Sequence, residues 1–101
     1  MGMVLIYITS PSRQKSREMA SHLISRRLIA CANIFEMESI YRWKGDVANE
    51  PEFVLLAKST EDKYEEIKSE IESVHPYDVP CIIRIPVEAN KEYLGWVLGE
   101  L

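Results

Sequence analysis

The stretch Ala30 to Trp43, ACANIFEMESIYRW, reads as extended chain from end to end. It runs into the turn signal Lys44-Gly45-Asp46 and then into a second extended run, EFVLLAKS, at 52–59, so the segment predicts a β-hairpin. A usual strand has about five or six residues, whereas the twelve or so from Ala32 to Trp43 would span roughly 40 Å. A domain of this length has a radius of gyration near 13 Å, roughly. The hairpin therefore has to leave its own sheet as an arm.

Working outward, Met3 to Thr9, MVLIYIT, is apolar in both alternating sets, with Val4, Ile6 and Ile8 one way and Leu5 and Tyr7 the other. That pattern predicts a central strand with two covered faces. Ser10-Pro11-Ser12 supplies a turn and an N-cap, and Met19, Ala20, Leu23, Ile24 and Leu28 recur at helical spacing through about Leu28. Beyond the hairpin, Ser59 with Asp62 has the form of a capping box, followed by a stripe of Tyr64, Ile67, Ile71 and Val74 in a helix ending near His75. CIIRIPVE, 81–88, is a fourth strand whose Pro86 belongs at a sheet edge or a bulge. Tyr93, Leu94, Val97 and Leu98 close the chain with a short helix.

The order β-α-β-β-α-β plus a terminal helix is a ferredoxin-like α+β fold, a four-stranded antiparallel sheet with both crossover helices on one face. We expect one domain spanning 1–101. Strands one and three are apolar on both faces, so the second face and the free edge of the arm need covering, and further copies of the chain are the expected cover.

With 47% apolar residues, 28% charged residues and a formal net charge of −4, the chain carries no electrostatic footprint for nucleic acid. Arg13, Lys15, Arg17, Arg26 and Arg27 read as one solvated helix face. The apolar run near the amino terminus is too short for a signal sequence or a membrane span, so a cytoplasmic protein with no membrane partner is expected. Cys31 and Cys81 have no CxxC spacing and read as two reduced thiols. No GxSxG elbow, HExxH pair or phosphate-cradling glycine loop occurs, which argues against an enzyme and against an organic cofactor.

LIACANI (28–34), SIYRWKGD (39–46), LLAKST (55–60), HPYDVPCII (75–83) and EYLGWV (92–97) together resemble the CutA family, the divalent-cation tolerance proteins, over essentially the whole chain. The resemblance implies a homotrimer with long hairpin arms, a non-catalytic role in divalent-cation tolerance, and copper or another divalent metal ion as ligand. It also implies an architecture similar to the PII signalling proteins, hence an alternative role as a sensor or scaffold that takes a small anionic or nucleotide-like ligand between subunits and signals to a protein partner. The chain departs from the family pattern in having Cys81 where a carboxylate is common, and Val74 and Ile8 where some members have a histidine and a cysteine.

His75 and Cys81 are the candidate metal ligands, since imidazole with thiolate suits Cu(I) or Zn(II). The alternative roles are a helix-terminal cap for His75 and a core position for Cys81 in the alternation Cys81, Ile83, Ile85, Val87. Cys31 reads as packing, and His22 as a solvated side chain. Tyr41, Trp43, Tyr77, Tyr93 and Trp96 are expected at an inter-subunit cleft or contact, with Lys58 as its charged group or else paired with Glu92 or Asp46.

Overall fold

A computed structural model describes residues 2–101. Four strands, β1 (Met3–Ser10), β2 (Cys31–Trp43), β3 (Asp46–Thr60) and β4 (Ile82–Val87), alternate with helices α1 (Arg13–Ser25), α2 (Tyr64–Val74) and α3 (Lys91–Glu100) in the expected order. The sheet order is β2-β3-β1-β4, all neighbours antiparallel. This is the ferredoxin-like topology, and β1 is central in it.

Pairing across the sheet sorts side chains into two sets. Val4, Ile6 and Ile8 of β1 share a face with Leu55 and Ala57 of β3, and with Ala32, Ile34 and Ile82 packed around them. Met19, Ala20 and Leu23 of α1 and Ile67 and Ile71 of α2 close over that face to make the core. Such burial is the main favourable term in folding, at about 25 cal/mol per Å² of apolar surface. Leu5, Tyr7, Leu56, Ile83 and Ile85 point the other way. α3 covers part of that second face: Lys58 Nζ lies 5.5 Å from the Tyr93 ring centroid, and Val97 is fully buried. Phe35, Ile83, Ile85 and Trp96 remain 39–47% exposed.

The apolar alternation of β4 is thus present but in the opposite phase to that expected. Ile82 packs on the core, while Cys81, Ile83 and Ile85 belong to the second face. Pro86 sits on an edge strand, as its missing donor requires.

The hairpin keeps continuous register from Cys31↔Lys58 to Trp43↔Asp46. β1 stops pairing at Phe53, so the seven pairs from Met37↔Glu52 outward stand clear of the sheet. At roughly 3.3 Å per residue the ribbon projects about 23 Å, and the molecule measures 45 × 24 × 21 Å. Pro51 occurs only past the point where β1 has ended. Lys44 and Gly45 take φ of 50° and 86°, the two left-handed residues of a tight hairpin turn that matches strand twist.

Two helix boundaries differ from the sequence reading. α1 ends at Ser25 in a Schellman motif: Leu28 N–H donates to Leu23 O and Arg27 N–H to Ile24 O, both at 3.0 Å. Leu28 is buried as the apolar residue that closes this cap, which is why it continues the spacing without being helical, and Ile24 is 47% exposed. The capping box at Ser59 does not form. Ser59 is still in β3 and its hydroxyl donates to Leu28 O, while Thr60 is the cap of the short 3-10 turn Glu61–Lys63. Val74 is 40% exposed at the end of α2. His22 is not merely solvated: its Nε2 lies 2.7 Å from Glu70 Oε2, and Arg26 Nε 3.3 Å from Glu70 Oε1, joining α1 to α2.

Arg27 holds φ of 55° where glycine is the unstrained choice. Arg27→Gly should raise the unfolding free energy by about 1 kcal/mol in a urea titration, despite loss of the exposed bond from the Arg27 guanidinium to Glu100 O.

Candidate functional site at the root of the arm

The arm, the end of β1 and the loop after α2 meet in one open cleft of about 420 Å³, lined by Thr9, Tyr41, Trp43, Glu52, Pro76, Tyr77, Asp78 and Val79. Strand periodicity places its parts. Met37, Tyr41 and Trp43 of β2 and Glu50 and Glu52 of β3 fall on the second face of the ribbon, continuing the set that holds Tyr7 and Thr9 on β1. Tyr7 donates its hydroxyl to Met37 Sδ at 3.4 Å, tying sheet to arm.

His75 fixes the loop. Its Nε2 lies 2.7 Å from the Thr9 carbonyl, which can only accept, and its Nδ1 lies 3.1 Å from the Tyr77 amide, which can only donate. The ring is therefore the neutral tautomer protonated on Nε2. Both nitrogens are committed to holding the loop against β1. The backbone N–H of His75 also closes α2 on Ile71 O at 2.9 Å. The capping and joint role read from the proline-flanked stretch is what these bonds perform.

Tyr77, oriented by that clamp and with its ring centroid 4.8 Å from that of His75 at a 55° tilt, donates to Glu52 Oε2 at 2.8 Å. Tyr41 donates to Glu50 in the same way further out. Burial first, and then the Glu52 carboxylate, raise the Tyr77 pKa, so the phenol keeps its proton. Glu52 is only 8% exposed. Cys81 is half-buried on the same face, and burial, followed by the influence of Glu52 and against a hydrogen bond from Thr9, pushes its thiol pKa up. That environment disfavours the thiolate a soft metal would bind.

The eight residues singled out in the sequence fall into separate groups. Tyr41, Trp43 and Tyr77 line the cleft together. Lys58, Tyr93 and Trp96 lie at the other end of the hairpin: Lys58 donates to Asn33 Oδ1 at 2.9 Å rather than pairing with Glu92 or Asp46, and the Tyr93 and Trp96 rings are 5.6 Å apart. Cys31 is half-buried with its sulfur 3.4 Å from the Tyr93 hydroxyl. Within one chain, then, the six aromatic and basic residues form two clusters, not one cleft. The charge of the arm-root cleft is also acidic, opposite to that wanted by an anionic ligand.

Among the described residues, no group of three or more His, Cys, Asp or Glu side chains is placed to hold a metal ion. The described residues of one chain do not by themselves provide the three or four ligands of a closed transition-metal site. Thr9, Glu50 and Glu52 were not identified from sequence. Glu52 was the detectable one, sharing the alternation of Val54 and Leu56 in an otherwise apolar run.

No helix among the described residues is long and apolar enough to cross a membrane. Residues 4–100 match the family model described as CutA1 divalent ion tolerance protein. The divalent-cation tolerance protein CutA of Pyrococcus horikoshii is 40% identical over 99 residues, covering 97% of each chain. Among solved structures, the periplasmic divalent cation tolerance protein CutA from Archaeoglobus fulgidus superimposes with a TM-score of 0.94 at 35% identity, over 97% of both chains. CutA1 from Oryza sativa does so with a TM-score of 0.95 at 31% identity, over 99% of this chain and 94% of that one. With sequence, fold and near-complete coverage in agreement, this chain belongs to the CutA1 divalent ion tolerance family.

Proposed function

We propose that the protein serves divalent-cation tolerance as a non-catalytic binder of divalent or soft metal ions, copper among them, and that it works as a homotrimer. The observation that carries this reading is the family match over residues 4–100. The assembly has support of its own. Exposed Phe35, Ile83, Ile85 and Trp96 share the second face of the sheet, and a projecting ribbon carries exposed Ile40 and Val47. That much uncovered apolar surface beside free strand edges favours association with identical copies, and a closed ring limits its growth.

His75 and Cys81 are the proposed ion ligands in this chain. The geometry defines what binding would demand of them. Cys81 has to lose its proton in a setting that opposes this, and His75 has to release the Tyr77 amide to free Nδ1. Since one chain gathers no three-ligand group among its described residues, further ligands have to come from a second copy. Two free cysteines fit a reducing compartment, and on that ground we propose a cytoplasmic location.

Light scattering on the purified protein should give a particle of three times the 11.7 kDa chain; a stable monomer at micromolar concentration would sink the assembly. Calorimetry on chelator-stripped protein with copper and with zinc should show His75→Ala and Cys81→Ser each weakening affinity about tenfold or more. Unchanged affinity in both variants would remove these residues as ligands. His75→Ala should in addition lower stability without any metal, by about 1–3 kcal/mol in denaturant titrations, because the Thr9 carbonyl and Tyr77 amide lose their partner.

A further inference from the structure

The arm-root cleft combines a buried anion with an aromatic lining. Glu52 is 8% exposed and receives a hydrogen bond from a neutral phenol at 2.8 Å, yet among the described residues no ion pair includes Glu52 or the neighbouring Asp78. A nearly buried carboxylate with no counter-cation creates a local demand for positive charge. Around it stand Tyr41, Trp43 and Tyr77, whose ring faces carry the negative end of the aromatic quadrupole. Trp43 already draws a cation, the exposed Lys44 Nζ, to 5.7 Å from its ring centroid.

The lining also selects the kind of cation. Magnesium or calcium wants about six oxygen ligands, and although Glu52, Asp78 and Thr9 offer some, no group of three or more acidic or other ligating side chains is gathered here among the described residues. A carbon-substituted ammonium holds its water weakly, presents apolar surface to the rings and keeps a full charge for the carboxylate. The volume of about 420 Å³ is in the range of small-molecule sites.

We propose that this cleft binds an organic ammonium ion, with the charged nitrogen directed at Glu52 and its substituents against Tyr41, Trp43 and Tyr77. This does not rest on the metal-ion reading and concerns a different class of ligand. Trp43 and Trp96 are the two tryptophans, and only Trp43 lines the cleft, so the indole N–H resonances of the intact assembly contain an internal control. Titration with tetramethylammonium chloride at constant ionic strength should shift the Trp43 resonance saturably and leave that of Trp96 in place. Tert-butanol, the neutral counterpart, and magnesium chloride should shift neither. Glu52→Gln should weaken the response about tenfold or more, and Asp78→Asn, an exposed change that decides the matter if the first variant does not fold, about threefold. Absence of a saturable shift, an equal shift with tert-butanol, or full affinity retained in the folded variants would overturn the proposal. Occupation of Glu52 by a basic side chain of a neighbouring copy would register as the first of these results.

Discussion

A sheet with two apolar faces and two crossover helices on only one of them is the constraint on which the rest of this structure depends. Right-handed connections put α1 and α2 on the same side, and their apolar stripes satisfy Val4, Ile6, Ile8, Leu55 and Ala57. Leu5, Tyr7, Leu56, Ile83 and Ile85 are left for α3, which is ten residues long and reaches only part of them. The arm sharpens the imbalance by carrying the same uncovered face outward past the end of β1. Every functional feature described above lies on that second face or beside it.

The element order was legible because strand and helix periodicities differ and because Gly45, Pro76 and Pro80 mark the turns. Leu28 misled because a Schellman closure places an apolar residue where a further helical turn would also place one. Ser59 and Asp62 misled because a hydroxyl three residues from a carboxylate is common, and Ser59 had a better partner in Leu28 O. The separation of Lys58 from Tyr41 and Trp43 could have been obtained by counting back from the Lys44-Gly45 turn. Register starting at Trp43↔Asp46 sets Lys58 opposite Cys31, ten residues or roughly 33 Å along the strand from Tyr41. What could not be read was the docking of the 75–80 loop on Thr9, since nothing local in the sequence indicates which strand end a histidine will reach.

His75 shows how a residue proposed for chemistry also holds structure. A histidine, tyrosine, aspartate and cysteine in and around a pair of prolines suggest a site, and the loop they form borders an open cleft. Tyr77 and Glu52 line that cleft, while the imidazole spends both nitrogens on backbone groups so that Tyr77 arrives beside Glu52. Breaking the clamp would move the phenol before it changed any charge.

The central place of β1 has a consequence for the time course of folding. As the chain leaves the ribosome, β1 emerges first, yet its two neighbours are 53–60 and 82–87, so its edges wait through most of synthesis. The long hairpin can zip locally as soon as its turn is made, but the middle of the sheet cannot. Nascent chains thus pass through a stage with an incomplete sheet, and the interval before β4 arrives is when crowded siblings would most readily pair out of turn.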